Sequence, residues 1–430
     1  MIKNFHLMLD DCTKGIPAGT SPFPIDEIRN KGWNVLAEDL ALPVALLKQR
    51  DIQHNSTWMQ NFLAVGGAQI APHGKTTMSP ELFNVQMEDG AWGITLATAH
   101  QVQVARKFGF RRIFFANQLI GKAAIAGVLN EIKNDPTFEF YCITDSLVNV
   151  AELARAAAKT GLTRPLNVLV ELGYQGGRTG CRTLEEALSV ARGIAAETGR
   201  LALAGVEGFE GLMRGKTAAE SKAMVDAYLS RLIDLAEECE TAGLFATRQP
   251  IISAGGSQYY DLVVDQLHER GIASRFLLLL RSGCYLTHDS GLYRRAFEQL
   301  RERNPALAAV QGGLRPALEV WAYVQSRPED RKAIINFGKR DASHDDPPVA
   351  LSWYRPSSAM PAPQPVGEGY RVSRLNDQHC HLEIPAESPL AVGDMIAFGI
   401  SHPCLTFDKW RALYVVDDTY QVVSAISTYF

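Results

Sequence analysis

Eight times between Gly67 and Leu280 the chain repeats one rhythm: a short β-rich run, a few turn residues, then a helix-like stretch. The candidate strands are Gly67–Pro72, Trp92–Leu96, Arg112–Ala116, Glu139–Ile143, Leu166–Leu172, Ala202–Glu207, Pro250–Ser253 and Phe276–Leu280. Between them lie helix-like stretches such as Ala99–Phe108, Lys122–Lys133, Val148–Thr160, Leu184–Thr198 and Ala218–Ala242, the last closed by Gly243 as a C-cap. Strands separated by helices pair in parallel, because a parallel neighbour is reached only through a crossover. Eight such units in about 250 residues is the count of a (β/α)8 barrel of the TIM type. A doubly wound open sheet is the alternative that strand counting leaves open. No GxGxxG follows the first strand, so a dinucleotide-binding fold gains no support.

At 430 residues the chain is longer than such a barrel needs. After about Ser326 the rhythm changes. Residues 340–369 are rich in Asp, Pro and Ser and read as loops, and the β-like runs His381–Ile384, Met395–Gly399, Ala412–Val416 and Gln421–Ile426 follow. The expected division is an N-terminal segment over 1–40 that holds no barrel unit and could pack on the β domain, a barrel over 41–325, and a smaller β domain over 326–430. The net charge of −4, with no long basic run, argues against nucleic acid and anionic membrane as partners. No apolar run approaches the roughly 20 residues that span a bilayer, and Met1–Cys12 lacks the pattern of a signal peptide. Seven cysteines, an odd number without CxxC spacing, suit a reducing cytoplasm better than a disulfide framework.

Function in such a barrel gathers just after the strands, at their C-terminal ends. After the first strand comes Ala71-Pro72-His73-Gly74-Lys75-Thr76-Thr77. A lysine at the mouth can be desolvated and made nucleophilic, the alternative being an ordinary solvated lysine. After the fifth strand, Glu171–Gly180 combines glycines with Arg178, a donor suited to an anionic oxygen or simply a solvent-facing side chain. After the seventh, Ser253-Ala254-Gly255-Gly256-Ser257 offers successive backbone N–H groups beside a helix start, a candidate phosphate nest. After the eighth, Arg281-Ser282-Gly283-Cys284-Tyr285 adds donors next to it. In the β domain, His402-Pro403-Cys404 would place imidazole and thiol on one side of an extended segment, a zinc-type donor set and a weak signal alone. His379 and His381 form a second extended pair.

Together these pieces resemble the fold-type III, alanine racemase-like pyridoxal-phosphate enzymes, in the D-serine dehydratase and D-threonine aldolase branch, from about Leu42 to the C-terminus. The family's R-P-H-x-K-T-H-K motif is similar to Ala71–Met78. The resemblance implies that Lys75 carries pyridoxal 5'-phosphate as a Schiff base, with His73 beside it. It places Arg178, in a loop like D-x-G-x-x-R-T-G, near the cofactor's phenolic oxygen. Gly255-Gly256-Ser257, with Ser253 before them, resembles the phosphate turn, and Arg281, Gly283 and Tyr285 resemble R-P-G-x-Y. The chain departs from the pattern at Ala71, Thr77, Met78 and Ser282, which points to an outlying subgroup.

The family's β domain carries a metal, usually zinc, and its ligands resemble His402 and Cys404. Dehydratases of the family tend to have His-x-Cys here and aldolases His-x-Asp. Where aldolases often read Y-E-G-H, this chain reads Phe209-Glu210-Gly211-Leu212. The expectation is a zinc-dependent β-elimination, a dehydration followed by deamination, that takes a D-3-hydroxy amino acid such as D-serine to a 2-oxo acid and ammonia, by a cytoplasmic homodimer. A D-threonine-type aldolase is the nearest rival; an amino-acid racemase, a non-catalytic pyridoxal-phosphate carrier and a barrel enzyme without that cofactor stand further off.

Overall fold

A computed structural model of the chain describes residues 7–305, 310–356, 358 and 360–430. Eight parallel strands form one sheet: Gln69–Ile70, Ile94–Leu96, Arg112–Gln118, Glu139–Thr144, Leu166–Leu172, Leu201–Gly208, Ile251–Ser253 and Leu277–Leu280. Each pairs with its successor from the second to the eighth strand, and the eighth pairs with the first. The circle closes between the first two: Trp92 N–H donates to Ile70 O at 2.8 Å, Thr95 N–H donates to Pro72 O at 2.9 Å, and His73 bridges Thr95. This closure decides for the barrel over an open sheet.

The interior is filled rather than hollow. Ala71, just past the first strand, and Phe114, Ile143, Leu169, Ala204, Ile251 and Leu279, each from a different strand, form one buried cluster. The outer faces of the strands pack on the helices in a second, larger core. Helix starts are written locally. Thr98, Ser146, Thr183 and Thr217 each follow a strand or loop, and each side chain accepts a backbone N–H two or three residues into its helix. Thr183 and Glu186 complete a capping box. Gly243, at φ 65°, ends the long helix Ala218–Thr241. Further helices cover Gln49–Gly66, Pro80–Glu88, Tyr260–Glu269 and Leu292–Arg303.

The second sheet is antiparallel over most of its length and is built from both ends of the chain. Leu318–Glu329 pairs with Met395–Gly399 on one side and with Val44–Lys48 on the other. Ala412–Val416 then pairs parallel with Val44–Lys48. Leu318–Glu329 crosses the 325/326 junction expected from the sequence, and Val44–Lys48 lies in this sheet rather than in the barrel. Leu9, Ile16, Phe23, Ile28 and Leu40 share a buried cluster with Val44, Trp321, Met395 and Tyr414. Val349–Tyr354 is a strand within the stretch read as loops. Its alternation is weak, and its place comes from pairing with Met395–Gly399, a partner too distant in sequence to be read locally. Among the described residues no helix is long and apolar enough to cross a membrane.

Candidate active site

The loop after the first strand turns through a short 3-10 helix, Gly74–Thr76, which raises Lys75 into the barrel mouth. Lys75 is exposed and makes no hydrogen bond or ion pair among the described residues. The desolvated setting expected of it is therefore not built by the protein alone. His73 stands beside it, with its Nδ1 buried and without a hydrogen-bond partner. Burial holds this imidazole well below its ordinary pKa, and the positive charges of Lys75, Arg281 and Arg178 push the same way. Four of the expected residues therefore share one electrostatic neighbourhood. The guanidinium of Arg178 lies over the Phe209 ring, 4.9 Å from its centroid.

Deeper in the mouth, Arg281 is buried against Glu207 and also donates to Gly208 O at 2.8 Å. Glu207 stands beside Glu171 in register on the neighbouring strand. Burial raises Glu207 to about 7 even though Arg281 pulls it down. Burial likewise raises Glu171, whose carboxylate accepts from Thr179 Oγ1 at 2.6 Å and from Gln118. Glu207 Oε2 has no partner.

The loops after strands seven and eight are tied to each other. Arg281 N–H donates to Gly255 O at 3.0 Å, and Ser282 Oγ donates to Gly256 O at 2.8 Å. The nest is present at Gly255 and Gly256, but its N–H groups already hold a carboxylate: Glu210 accepts from them at 3.1 and 2.8 Å. Ser253 does not face the mouth, because its hydroxyl donates to Leu279 O at 3.0 Å. Tyr285 is buried and its hydroxyl bonds Gln86, so it too is engaged within the protein. Ser257 is half-buried at the loop's end. Gly283 is required by space: a Cβ there would lie 2.5 Å from His73 O and 2.6 Å from Thr76 Oγ1.

The His402–Cys404 segment meets the barrel at this same rim. It is not extended as expected. His402 has φ 55° and Cys404 opens the short helix Cys404–Phe407. The turn is fixed by Asp289, which accepts the His402 N–H at 2.8 Å on one oxygen and three N–H groups of residues 291, 293 and 294 on the other. Imidazole and thiol still come together. His402 is raised to about 9, first by its hydrogen bond to Cys404 and further by Asp345, whose Oδ2 lies 2.7 Å from Nδ1. Cys404 is held well below the usual thiol range, first by the hydrogen bond from Cys284 and then by His402. Cys404 Sγ lies 3.6 Å from Thr76 Oγ1, next to Lys75. The other histidine pair is separate: His379 is exposed, and His381 Nε2 bonds Asn376 Oδ1 at 2.7 Å.

The residues fit both groups that the sequence implies. For pyridoxal phosphate, the mouth offers a free amine, an orphaned buried imidazole nitrogen and an unpaired carboxylate oxygen, ringed by guanidinium groups. For a divalent metal, the soft imidazole–thiolate pair suits zinc, with Asp345 as the carboxylate behind the histidine. Among the described residues no three His, Cys, Asp or Glu side chains are already gathered as a ligand set. Sequence reasoning missed Glu207, Glu210, Asp289 and Asp345. A buried Glu just past the sixth strand was the one available signal.

Comparison with known proteins supports the fold that carries these residues. The family model "Alanine racemase, N-terminal domain" matches residues 47–280, and "Putative serine dehydratase domain" matches residues 317–416. A D-threonine aldolase of Arthrobacter sp is 24% identical over 382 residues, covering 87% of this chain and 89% of the relative. The solved D-threonine aldolase from Filomicrobium marinum superposes with a TM-score of 0.72 at 19% identity, covering 92% of this chain and 96% of that one. D-threo-3-hydroxyaspartate dehydratase from Delftia sp. HT23 gives 0.70 at 21% identity, with 92% and 99% covered. From the barrel match across more than half its length, together with the serine dehydratase domain, the chain belongs to the fold-type III pyridoxal-phosphate enzymes of the D-serine dehydratase and D-threonine aldolase family.

Proposed function

We propose that the chain is a metal-dependent lyase that converts a D-3-hydroxy amino acid, D-serine in the first instance, to a 2-oxo acid and ammonia. The observation that carries this reading is the contact of Cys404 Sγ with Thr76 Oγ1 at 3.6 Å. It sets the imidazole–thiolate pair one residue from Lys75. Elimination needs a base at Cα and an acid at the β-oxygen of one small substrate, and the closeness of this pair to Lys75 supports that reading.

Pyridoxal phosphate, when bound, supplies the electron sink that makes a Cα proton removable, and a divalent metal supplies Lewis acidity toward the leaving hydroxyl. The protein's own groups do the rest. Lys75 would hold the cofactor, and its Nζ is the amine available to take the Cα proton. Arg178, lying on Phe209, is placed to meet an anionic oxygen. His402 and Cys404 hold the metal, and Asp345 orients the imidazole. Glu210 keeps the Gly255–Gly256 turn in shape from below, leaving phosphate binding to the donors that remain on the two loops. Leu212, half-exposed beside Phe209 and Arg178, offers no base for a β-hydroxyl proton, which disfavours aldol cleavage.

The aldolase reading has one observation behind it, the D-threonine aldolase relative that spans 87% of the chain. One assay separates the two. D-serine, D-threonine and D-threo-3-hydroxyaspartate are offered with zinc and after chelation. Zinc-dependent 2-oxo acid and ammonia support the dehydratase; glycine plus aldehyde would replace it with the aldolase.

A further inference from the structure

Cys284 has no part in the function proposed above, yet its position is unlike that of the other buried cysteines. Cys142 and Cys181 turn their sulfurs to backbone carbonyls within the barrel wall, of Asn167 at 3.9 Å and Asp145 at 3.4 Å. Cys284 sits on the loop after the eighth strand and faces a sulfur from the other sheet: its Sγ lies 3.9 Å from Cys404 Sγ. Thr76 Oγ1 is 3.8 Å from Cys284 Sγ and 3.6 Å from Cys404 Sγ, so the three atoms form a nearly equilateral triangle at the seam. The sulfur separation matches ligand geometry. Two thiolates each about 2.3 Å from a tetrahedral zinc stand about 3.8 Å apart. Asp289 braces the same corner, accepting both the Tyr293 and the His402 N–H.

We propose that Cys284 is a third protein ligand of the divalent metal, completing with His402 and Cys404 a Cys2His donor set whose fourth position is left for the substrate hydroxyl. This inference rests on the metal role already proposed for His402 and Cys404. It changes the character of the site. A metal held by His402 and Cys404 alone would belong to the β domain, whereas a metal that also takes Cys284 is bonded to the barrel three residues past Arg281. The ion then joins the two parts of the chain covalently at the rim beside Lys75. Three protein ligands and one open position is also the pattern of catalytic rather than structural zinc.

The test is zinc K-edge X-ray absorption on the cofactor-loaded protein, with bound zinc counted independently. The expected result is one zinc per chain with two sulfur scatterers, falling to one in Cys284→Ala and in Cys404→Ala. Zinc affinity, measured by competition with a chromophoric chelator, is expected to fall at least tenfold in Cys284→Ala, and Cys284→Ser serves where the alanine variant folds poorly. One sulfur with one imidazole in the unaltered protein would overturn the role of Cys284 while leaving His402 and Cys404 as ligands. Failure to bind zinc at all would overturn both.

Discussion

Gly283 and His73 lie so close that a methyl group on the glycine would sit 2.5 Å from the histidine's carbonyl oxygen. The loops after strands one and eight are thereby locked in contact at the proposed cofactor position. Gly283→Ala is expected to force backbone movement at a cost of about 1–3 kcal/mol. It would displace His73 and Thr76, the neighbours of Lys75. The measurable outcome is weaker retention of pyridoxal phosphate by tenfold or more on dialysis, with thermal stability lowered in parallel. Full retention would mean that the loops can part without disturbing the mouth.

Among the described residues, Lys75 is an exposed amine at the barrel mouth without a hydrogen bond or ion pair. Lys75→Ala is expected to abolish turnover. Borohydride reduction of the cofactor-loaded protein should fix the label on the peptide containing Lys75. Label recovered on another lysine would move the catalytic assignment.

Asp345 Oδ2 lies 2.7 Å from His402 Nδ1, so in the proposed metal site it acts through that imidazole. Removing the carboxylate in Asp345→Ala frees the ring to turn and lowers its basicity. Zinc affinity is expected to drop by about ten- to a hundredfold, with the absorbance of the bound cofactor unchanged. Asp345→Asn, which keeps an oxygen acceptor, should recover part of the loss. An unaltered affinity in the alanine variant would show that Asp289 and the backbone turn orient His402 without help.

His288 is buried, its Nε2 has no partner, and burial lowers its pKa to about 3. In the unfolded chain the same group titrates near 6.5. Between these values the unfolded state binds a proton that the native state refuses. The stability from this group is thus complete above pH 6.5 and is lost as pH falls toward 3. Going from pH 7 to pH 5 should cost about 2 kcal/mol through this residue. His288→Asn keeps a side chain tolerant of the residue's positive φ and removes the titration. Urea midpoints at the two pH values should therefore differ less in the variant than in the parent.

Much of the barrel was legible because its information is local. Apolar runs such as Leu166–Leu172, the Ser and Thr caps after them and Gly243 at a helix end each act over a few residues. Lys75, Arg178 and Arg281 could be placed because a residue just after a barrel strand has one place to go. What escaped was pairing across long separations. Nothing in Val44–Lys48 distinguishes a first barrel strand from a strand bound for Leu318–Glu329. The carboxylate of Glu210 under Gly255 and Gly256 was equally hidden, because the glycines read as a nest whether empty or filled. For His402 and Cys404 the chemistry was readable and the backbone was not: a left-handed histidine stabilised by Asp289 replaces the extended segment.

The placement of Val44–Lys48 between Leu318–Glu329 and Ala412–Val416 has a consequence for synthesis. As the chain leaves the ribosome, every strand of the barrel is available before any sheet partner of Val44–Lys48 has been made. The barrel can therefore close around its cofactor position while this early strand waits, its edges unpaired, for the last part of the chain. The corner proposed to hold the metal is assembled at the final step, when the arrival of the C-terminal strands brings Cys404 against Thr76. Nascent chains would thus complete the barrel mouth around Lys75 before Cys404 arrives beside it.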